Sequence, residues 1–375
     1  MKRLVLIGAG HAHAQVLLAL SGEAVGDIDV TLVSPDALAP YSGMIPGWMA
    51  GYYAWDECCI DFERLCSSVG ARFVHDEGRS IDTVGQTVHL ASGARIDYDI
   101  LSLDIGSTAL PLAGDSERLM AMRPLARLKA HWDRLRMEVR ALPPGTPYRV
   151  AMGGAGAAGV ESLLATQRQL TTWAPMLRID CVLATNGQSL LPMLAGRAGR
   201  LVETQLRRKG IDIINGFDAH SIDRSGVRGR DGKHLGADIV LWATGAGAHA
   251  WPVATGLAQD NAGFIRVDAM LRSVSHPNVF AAGDCAGLPT PVPKAGVFAV
   301  RMGHVLAYNL HAALHGLPLK AYRPQQRNLV LLGTSDGSAV ASWGPLAWQG
   351  EWVWRWKERI DRRFLARYNG GPHPA

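Results

Sequence analysis

Two glycine-rich turns hold the residues whose type and spacing could do chemistry. Gly153-Gly154-Ala155-Gly156-Ala157-Ala158-Gly159-Val160-Glu161 contains a complete G-x-G-x-x-G, preceded by the apolar run 148–152 and followed by a helical stretch to about Leu170. In this spacing Gly154 makes the turn, Gly156 lets a pyrophosphate approach backbone amides, and Gly159 lets the helix pack closely on its strand. A second turn, Gly8-Ala9-Gly10, lies between the apolar run 2–7 and a helix expected over 12–20, but its third glycine position holds His13. The strands that follow, 29–33 and 180–184, end at Ser34 and at Thr185-Asn186, where an acidic partner for a ribose is expected. Arg197 and Arg200 lie beyond the second strand and read as solvated cations before they read as partners of a 2′-phosphate. One such unit binds a dinucleotide; two, about 145 residues apart, can exchange a hydride.

These turns need a substantial scaffold. A chain of 375 residues suggests two or three domains at roughly 100–200 residues each. With 48% apolar and 19% charged residues it is expected to fold around a buried core rather than stay disordered. The net charge of +5 is concentrated from Glu351 onward, where six cations face three acids. The near-neutral body argues against a nucleic-acid face. The five cysteines (Cys58, Cys59, Cys66, Cys181, Cys285) form no C-x-x-C pair, which excludes a disulfide framework and a zinc ribbon and points to a reducing cytosol. The remaining histidines show no metal-ligand spacing, so no metal is expected. The charge-free stretches 37–55 and 239–259 are broken by Gly and Pro, so neither reads as a membrane span.

Three further segments complete a pattern: Ile-Leu-Ser-Leu-Asp-Ile-Gly-Ser at 100–107, Ala-Asp-Ile-Val-Leu-Trp-Ala-Thr-Gly at 237–245, and Val-Phe-Ala-Ala-Gly-Asp-Cys-Ala at 279–286. With the two turns they resemble the FAD-dependent pyridine nucleotide-disulfide oxidoreductase superfamily over nearly the whole chain. Within it the chain is most similar to the type II NADH dehydrogenase-like group. The branch it resembles is the one fused or adjacent to selenophosphate synthetase, on Gly8-Ala9-Gly10-His11-Ala12-His13, Ser34-Pro35-Asp36, the segment 40–47 and Pro293-Lys294-Ala295-Gly296-Val297.

The resemblance implies an α/β fold with two Rossmann-like dinucleotide-binding domains, the second inserted in the first. FAD would take residues 1–112 and 246–322, NADH or NADPH residues 113–245, and residues 323–375 would form a C-terminal unit with a basic amphipathic helix. Gly8, Gly10, His11 and Ala12 would then meet the FAD pyrophosphate. Ser34 and Pro35 would approach the adenosine ribose, while Ser42, Gly43, Gly106 and Ser107 would line the dinucleotide. Gly283 and Asp284 would hold its ribityl and pyrophosphate portion, with Ala295 at the start of the following helix. Gly154, Gly156, Ala157, Gly159, Thr185 and Gly245 would serve the nicotinamide nucleotide.

Two residues are expected in catalysis by the same resemblance: Glu161 near the nicotinamide and flavin, and Lys294, whose charge at a helix start would stabilise reduced flavin. Their bland readings are a helix-face carboxylate and a surface lysine. The segment 41–53 has no cysteine, so the dithiol of the disulfide reductases is not expected, and a quinone is the acceptor the resemblance implies. In the tail, Val353, Trp356, Ile360, Phe364 and Tyr368 recur at helical spacing, with Arg355, Arg359, Arg362, Arg363 and Arg367 largely elsewhere around the helix. That pattern suits a peripheral anchor on the inner face of the cell membrane. It suits equally a helix packed on its own FAD domain or forming a homodimer. Two functions stay open here: an FAD-dependent NAD(P)H dehydrogenase, and an FAD-binding redox partner or sensor linked to selenium metabolism.

Overall fold

The structure, a computed structural model, describes residues 1–20, 28–114, 117–194 and 196–370; the last five residues of the expected C-terminal unit lie outside them. The apolar opening run forms strand Lys2–Ile7, buried from Leu4 onward, and leads through the first glycine turn into helix His11–Leu20. It is the centre of a five-stranded parallel sheet in the order Val279–Ala281, Ile100–Leu103, Lys2–Ile7, Ile28–Ser34, Arg72–His75. Continuous burial of residues 4–7 and 30–34, Ile100–Leu103 and Val279–Ala281 explains why those segments read as largely apolar runs, while Arg72–His75 at the sheet edge is only part-buried. Helix Gly296–His315 lies across His11–Leu20, and the crossing is close because residue 303 is glycine. A Cβ there would stand 2.7 Å from Gln15 Cβ and 3.0 Å from Ala12 Cα.

A second parallel sheet repeats the plan in the order Leu119–Ala121, Ile239–Trp242, Pro147–Gly153, Arg178–Thr185, Asp212–Asn215. Its glycine turn opens helix Ala157–Trp173. In each half the parallel sheet is built as strand, turn, helix, two more strands of that sheet, a three-stranded antiparallel meander, and a return strand beside the first; the first half adds the small pair Leu38–Pro40 and Cys59–Asp61. The meanders are 78–97 and 219–236, and the return strands are Ile100–Leu103 and Ile239–Trp242. The first sheet gains its outer strand, Val279–Ala281, only after the second sheet is complete.

The remaining unit is an antiparallel sheet of Leu329–Gly333, Ala339–Trp343 and Leu346–Gly350, followed by helix Glu351–Asn369. This helix packs on its own chain. Tyr368 donates to Gln15 Oε1 (3.1 Å), Asn369 donates to the Cys59 carbonyl (2.8 Å), and Phe364 stacks on Tyr41 with ring centroids 4.3 Å apart. The buried face differs from the apolar stripe expected from sequence. It is Val353, Lys357, Asp361, Leu365 and Tyr368, spaced one turn apart, whereas Trp356 and Ile360 are each 37% exposed. Two charged residues occupy the inner face because they pair with each other there. Among the described residues, no helix is long and apolar enough to cross a membrane.

Candidate functional site

At the second turn, Gly154 takes φ +113°, and a Cβ on it would lie 2.6 Å from the Ala243 carbonyl oxygen. A Cβ on Gly159 would lie 2.0 Å from the Gly154 oxygen, so strand and helix meet as closely as the spacing requires. Over Gly156 there is open space, with nothing within 4 Å of where a methyl would stand, and no side chain caps the helix that begins at Ala157. The amides at this N-terminus are therefore free to take an anion. Beside them the Thr244 hydroxyl is buried without a partner, next to Gly245. Thr185 Oγ1 accepts from the Gly187 amide (3.1 Å), so it organises the strand end instead of presenting an acid. Arg197 and Arg200 are exposed.

The first turn has the same backbone but a different filling. Gly8 has φ +99°, and a Cβ on it would lie 2.4 Å from the Asp104 carbonyl. His13, in the third glycine position, is fully buried. Its Nδ1–H donates to the Gly8 carbonyl (2.7 Å), and its Nε2 stands 2.9 Å from Ser102 Oγ, which donates to it. The imidazole thus closes the turn that Gly159 closes by having no side chain. The Asp104 carboxylate sits under Gly10 and accepts from the Ala12 (2.7 Å) and His13 (3.1 Å) amides. Burial holds both His11 and His13 down to about 4, so both are neutral at pH 7.

Most of the expected flavin residues gather around this turn. Ser107 Oγ donates to Asp284 Oδ2 (3.0 Å), and the Arg123 guanidinium reaches Ser107, Asp284 and the Lys294 carbonyl. Gly106 and Gly283 both have positive φ, and space over Gly106 is open. Gly43 is tied to the tail helix through its carbonyl, and Ser42 Oγ lies 2.9 Å from where a Cβ on Gly296 would be. Ser34 is buried at its strand end, whereas Pro35 is exposed. Ala295 precedes helix Gly296–His315 as its N-cap. Lys294 is a half-buried lysine. Its ammonium donates to the Ala286 carbonyl (2.5 Å) and lies 3.9 Å from the Phe264 ring centroid, and burial lowers its pKa.

Glu161 follows Gly159 by two residues on the helix that the second turn opens, and it is buried. Its Oε1 accepts from the Gly333 amide (2.7 Å). Burial pushes its carboxyl up to about 7, against the nearby Lys357 ammonium and the Gly333 amide, so it holds a proton over part of the neutral range. Lys357 donates to Asp361 Oδ2 (2.6 Å) and to the Gly43 carbonyl (2.5 Å). The Tyr41 hydroxyl donates to Asp361 Oδ1 (3.2 Å), and the Tyr41 ring stands against His11, centroids 5.6 Å apart. The chain Glu161, Lys357, Asp361, Tyr41, His11 therefore spans from one glycine turn to the other. A narrow cavity opens on it, lined by Pro46, Gly47, Tyr52, Tyr53, Glu161, Trp354 and Lys357.

Sequence reading missed Arg123, Asp104, Lys357 and Asp361. Arg123 has no motif around it. Lys357 and Asp361 were signalled by two opposite charges one turn apart inside an apolar stripe. Asp104 was signalled by the parallel between Leu-Asp-Ile-Gly and Trp-Ala-Thr-Gly. The five cysteines are all buried and unpaired, with burial pushing each thiol up to about 12, so none is poised as a nucleophile.

The residues present fit two dinucleotides. At the first turn His11 Nε2 is buried without a partner and Arg123 supplies a cation; at the second the uncapped amides and open space over Gly156 await phosphate.

The chain belongs to the pyridine nucleotide-disulphide oxidoreductase family, matched over residues 2–303, and is an FAD- and NAD(P)H-dependent oxidoreductase. It is similar to the alternative NAD(P)H-ubiquinone oxidoreductase C1, chloroplastic/mitochondrial, of Arabidopsis thaliana: 24% identical over 380 residues, spanning 91% of this chain and 73% of that protein. An NADH dehydrogenase-like protein of Mycobacterium tuberculosis is 26% identical over 365 residues, spanning 92% of this chain and 88% of the relative. In fold it matches the sulfide:quinone oxidoreductase of Aquifex aeolicus with a TM-score of 0.83 at 18% identity, over 100% of this chain and 93% of the other. It also matches NDH2 from Plasmodium falciparum with a TM-score of 0.80 at 13% identity, over the whole of both chains.

Proposed function

We propose that the protein oxidises NADH or NADPH and reduces a quinone, with FAD at the first glycine turn, the nicotinamide nucleotide at the second, and the quinone beside Glu161, where the narrow cavity must widen to admit it. The Arabidopsis relative, named as an NAD(P)H-ubiquinone oxidoreductase, supports this choice of acceptor. When bound, FAD supplies the two-electron chemistry, accepting hydride and passing electrons on. The chain's own part is to orient, to exclude water and to move protons. Free amides at Ala157 fix the nicotinamide nucleotide's phosphates, and Gly159 holds that helix against its strand. Gly8, Gly10, His11, Ala12, Gly106, Ser107, Gly283 and Asp284 shape the flavin cradle, with Arg123 as its counter-cation.

One observation carries the acceptor reading: proton-holding Glu161 and the Lys357 ammonium line one narrow aromatic cavity. A quinone taking two electrons also needs two protons, one arriving with the donor's hydride and one drawn from water through the protein. Glu161 holds one at its carboxyl, and the Lys357 ammonium can hydrogen-bond the reduced oxygen as negative charge develops there. Tyr52 and Tyr53 pack against Trp354, with ring centroids 4.8 and 6.3 Å apart, and give the cavity an aromatic wall. The outer face of the tail supports peripheral membrane contact, where quinones reside. Trp343 (44% exposed), Leu346 (49%) and Trp348 (39%) are exposed on the hairpin, and Trp352 (53%), Trp356 and Ile360 on the helix, with exposed Arg355, Arg359 and Arg363 on that helix. The sensor reading rests on Ser34 and Thr185 standing where ribose acids are expected and on the missing dithiol, the selenophosphate synthetase link on the family resemblance, and a homodimer on the tail's apolar stripe, whereas a proton-holding cluster favours turnover.

The test is steady-state oxidation of NADH and of NADPH with a short-chain ubiquinone. Sustained turnover supports the proposal. Flavin reduced by either donor but not reoxidised by quinone would overturn the acceptor assignment.

A further inference from the structure

The two glycine turns share one plan, and what lies beneath them differs. After the return strand, the second half has Ala243-Thr244-Gly245 and the first has Asp104-Ile105-Gly106. Each contributes the carbonyl under its turn glycine, at 2.4 Å from a Cβ on Gly8 and 2.6 Å from one on Gly154. At the second turn the residue is alanine, and the space over Gly156 and its amides is open. At the first, the Asp104 carboxylate takes the Ala12 and His13 amides. Its oxygens lie 2.2 Å from a Cβ on Gly10 and 2.4 Å from one on Gly283. An anion thus already occupies the N-terminus where the flavin pyrophosphate is expected.

We propose that FAD binding at the first turn takes up one proton onto Asp104, the pyrophosphate being admitted only when that carboxyl is neutral. This rests on the assignment of FAD to this turn. The protonated group keeps one oxygen on the helix amides and offers its O–H to a phosphate oxygen; the proton comes from water. Ionised, it sets a buried negative charge against a dianion, with the nearby cation Arg123 already paired to Asp284.

The groups around it leave Asp104 as the one that titrates with the ligand. From the helix His11–Leu20, His11 and His13 face it, both neutral at pH 7. From residues 283–285 come Asp284 and the Cys285 thiol, which donates to the Leu103 and Ala282 carbonyls. Arg123 is held by Asp284, and Lys294 is turned to the Ala286 carbonyl. The helix Gly296–His315 presents Ala299 and Met302 here, neither of them ionisable. Burial pushes the Asp104 carboxyl up to about 7, with the two amides opposing and Asp284 adding to the rise. The switch therefore lies in the neutral range.

The experiment is equilibrium release of FAD from the full-length holoprotein on dilution, read by free-flavin fluorescence from pH 6 to 9. It is run on wild type, Asp104→Asn and Asp104→Ala, the last copying the second turn. The wild-type Kd is expected to be flat below about pH 7 and to rise roughly tenfold per pH unit above it, while both variants give flat profiles. Calorimetry at pH 8 in two buffers of different ionisation enthalpy should show close to one proton taken up by wild type alone. A flat wild-type profile, or the same slope in either variant, overturns the coupling while leaving FAD at this turn. Failure to hold FAD even at pH 6 overturns the assignment of the turn, and the coupling with it.

Discussion

The Lys357 ammonium and the Asp361 carboxylate lie 2.6 Å apart on successive turns of the tail helix, each less than a tenth exposed. Facing inward, they join that helix to Gly43 and Tyr41. Removing one partner leaves the other charged and buried, which typically costs about 3–5 kcal/mol. Lys357→Met should therefore lower the thermal midpoint sharply, and Lys357→Met with Asp361→Leu should recover much of the loss. Melting curves of the three proteins check this; a double variant no more stable than the single one would show that the pair does not act as a unit.

Glu161 tests the proton step separately from hydride transfer. Glu161→Gln should keep FAD and still bleach under NADH in an anaerobic cuvette, while quinone turnover falls by roughly 100- to 10,000-fold, the usual range for a lost general acid. Because the carboxyl is raised to about 7, wild-type turnover should decline as the pH climbs past that value and the proton is lost. The Gln variant should show no such limb.

At the second turn, Gly159→Ala would force a methyl against the Gly154 oxygen, 2.0 Å away. The helix must shift, carrying the phosphate-binding amides with it. The KM for NADH should rise roughly tenfold to a hundredfold, with flavin content unchanged. An unaltered KM would place the nicotinamide nucleotide elsewhere.

His13 should shape the acid limb of stability. Its folded pKa, near 4, is below its unfolded value, so the neutral imidazole's contribution is intact above about 6.5 and lost as the pH falls through 4. The effect is on the order of 3 kcal/mol. His13→Gln, which keeps a donor for the Gly8 carbonyl and cannot charge, should lose less stability between pH 6.5 and 4 in urea titrations.

The outer tail face can be stripped without touching the inner one. Trp352→Ser, Trp356→Ser and Ile360→Ser together should reduce sedimentation with phosphatidylglycerol vesicles while leaving FAD in place. Equal sedimentation of variant and wild type would remove the tail from any membrane contact.

Much of the scaffold was legible in the sequence because glycine spacing and unbroken apolar runs are local signals. The runs at 2–7 and 148–152 became central strands, and the complete turn at 154–159 formed as its spacing required. The site was less legible where it depends on partners far apart in the chain. Glu161 meets an amide 172 residues away, and Arg123 reaches Asp284 across 161; no local pattern encodes either. The tail misled for another reason. Its apolar residues outnumber what one face can bury, and the ion pair claimed the inner face by finding a partner, so Trp356 and Ile360 were left outside.

The link between Tyr368 and Gln15 spans 353 residues, and Phe364 lies over Tyr41 and within 6.0 Å of the His11 ring. During synthesis the first glycine turn leaves the ribosome long before the helix that covers it. A nascent chain would thus carry an uncovered flavin cradle until the tail arrives, so stable loading is a late, post-translational event. Premature termination between the helix Gly296–His315 and the tail would leave a protein with both nucleotide turns present and the first one uncovered.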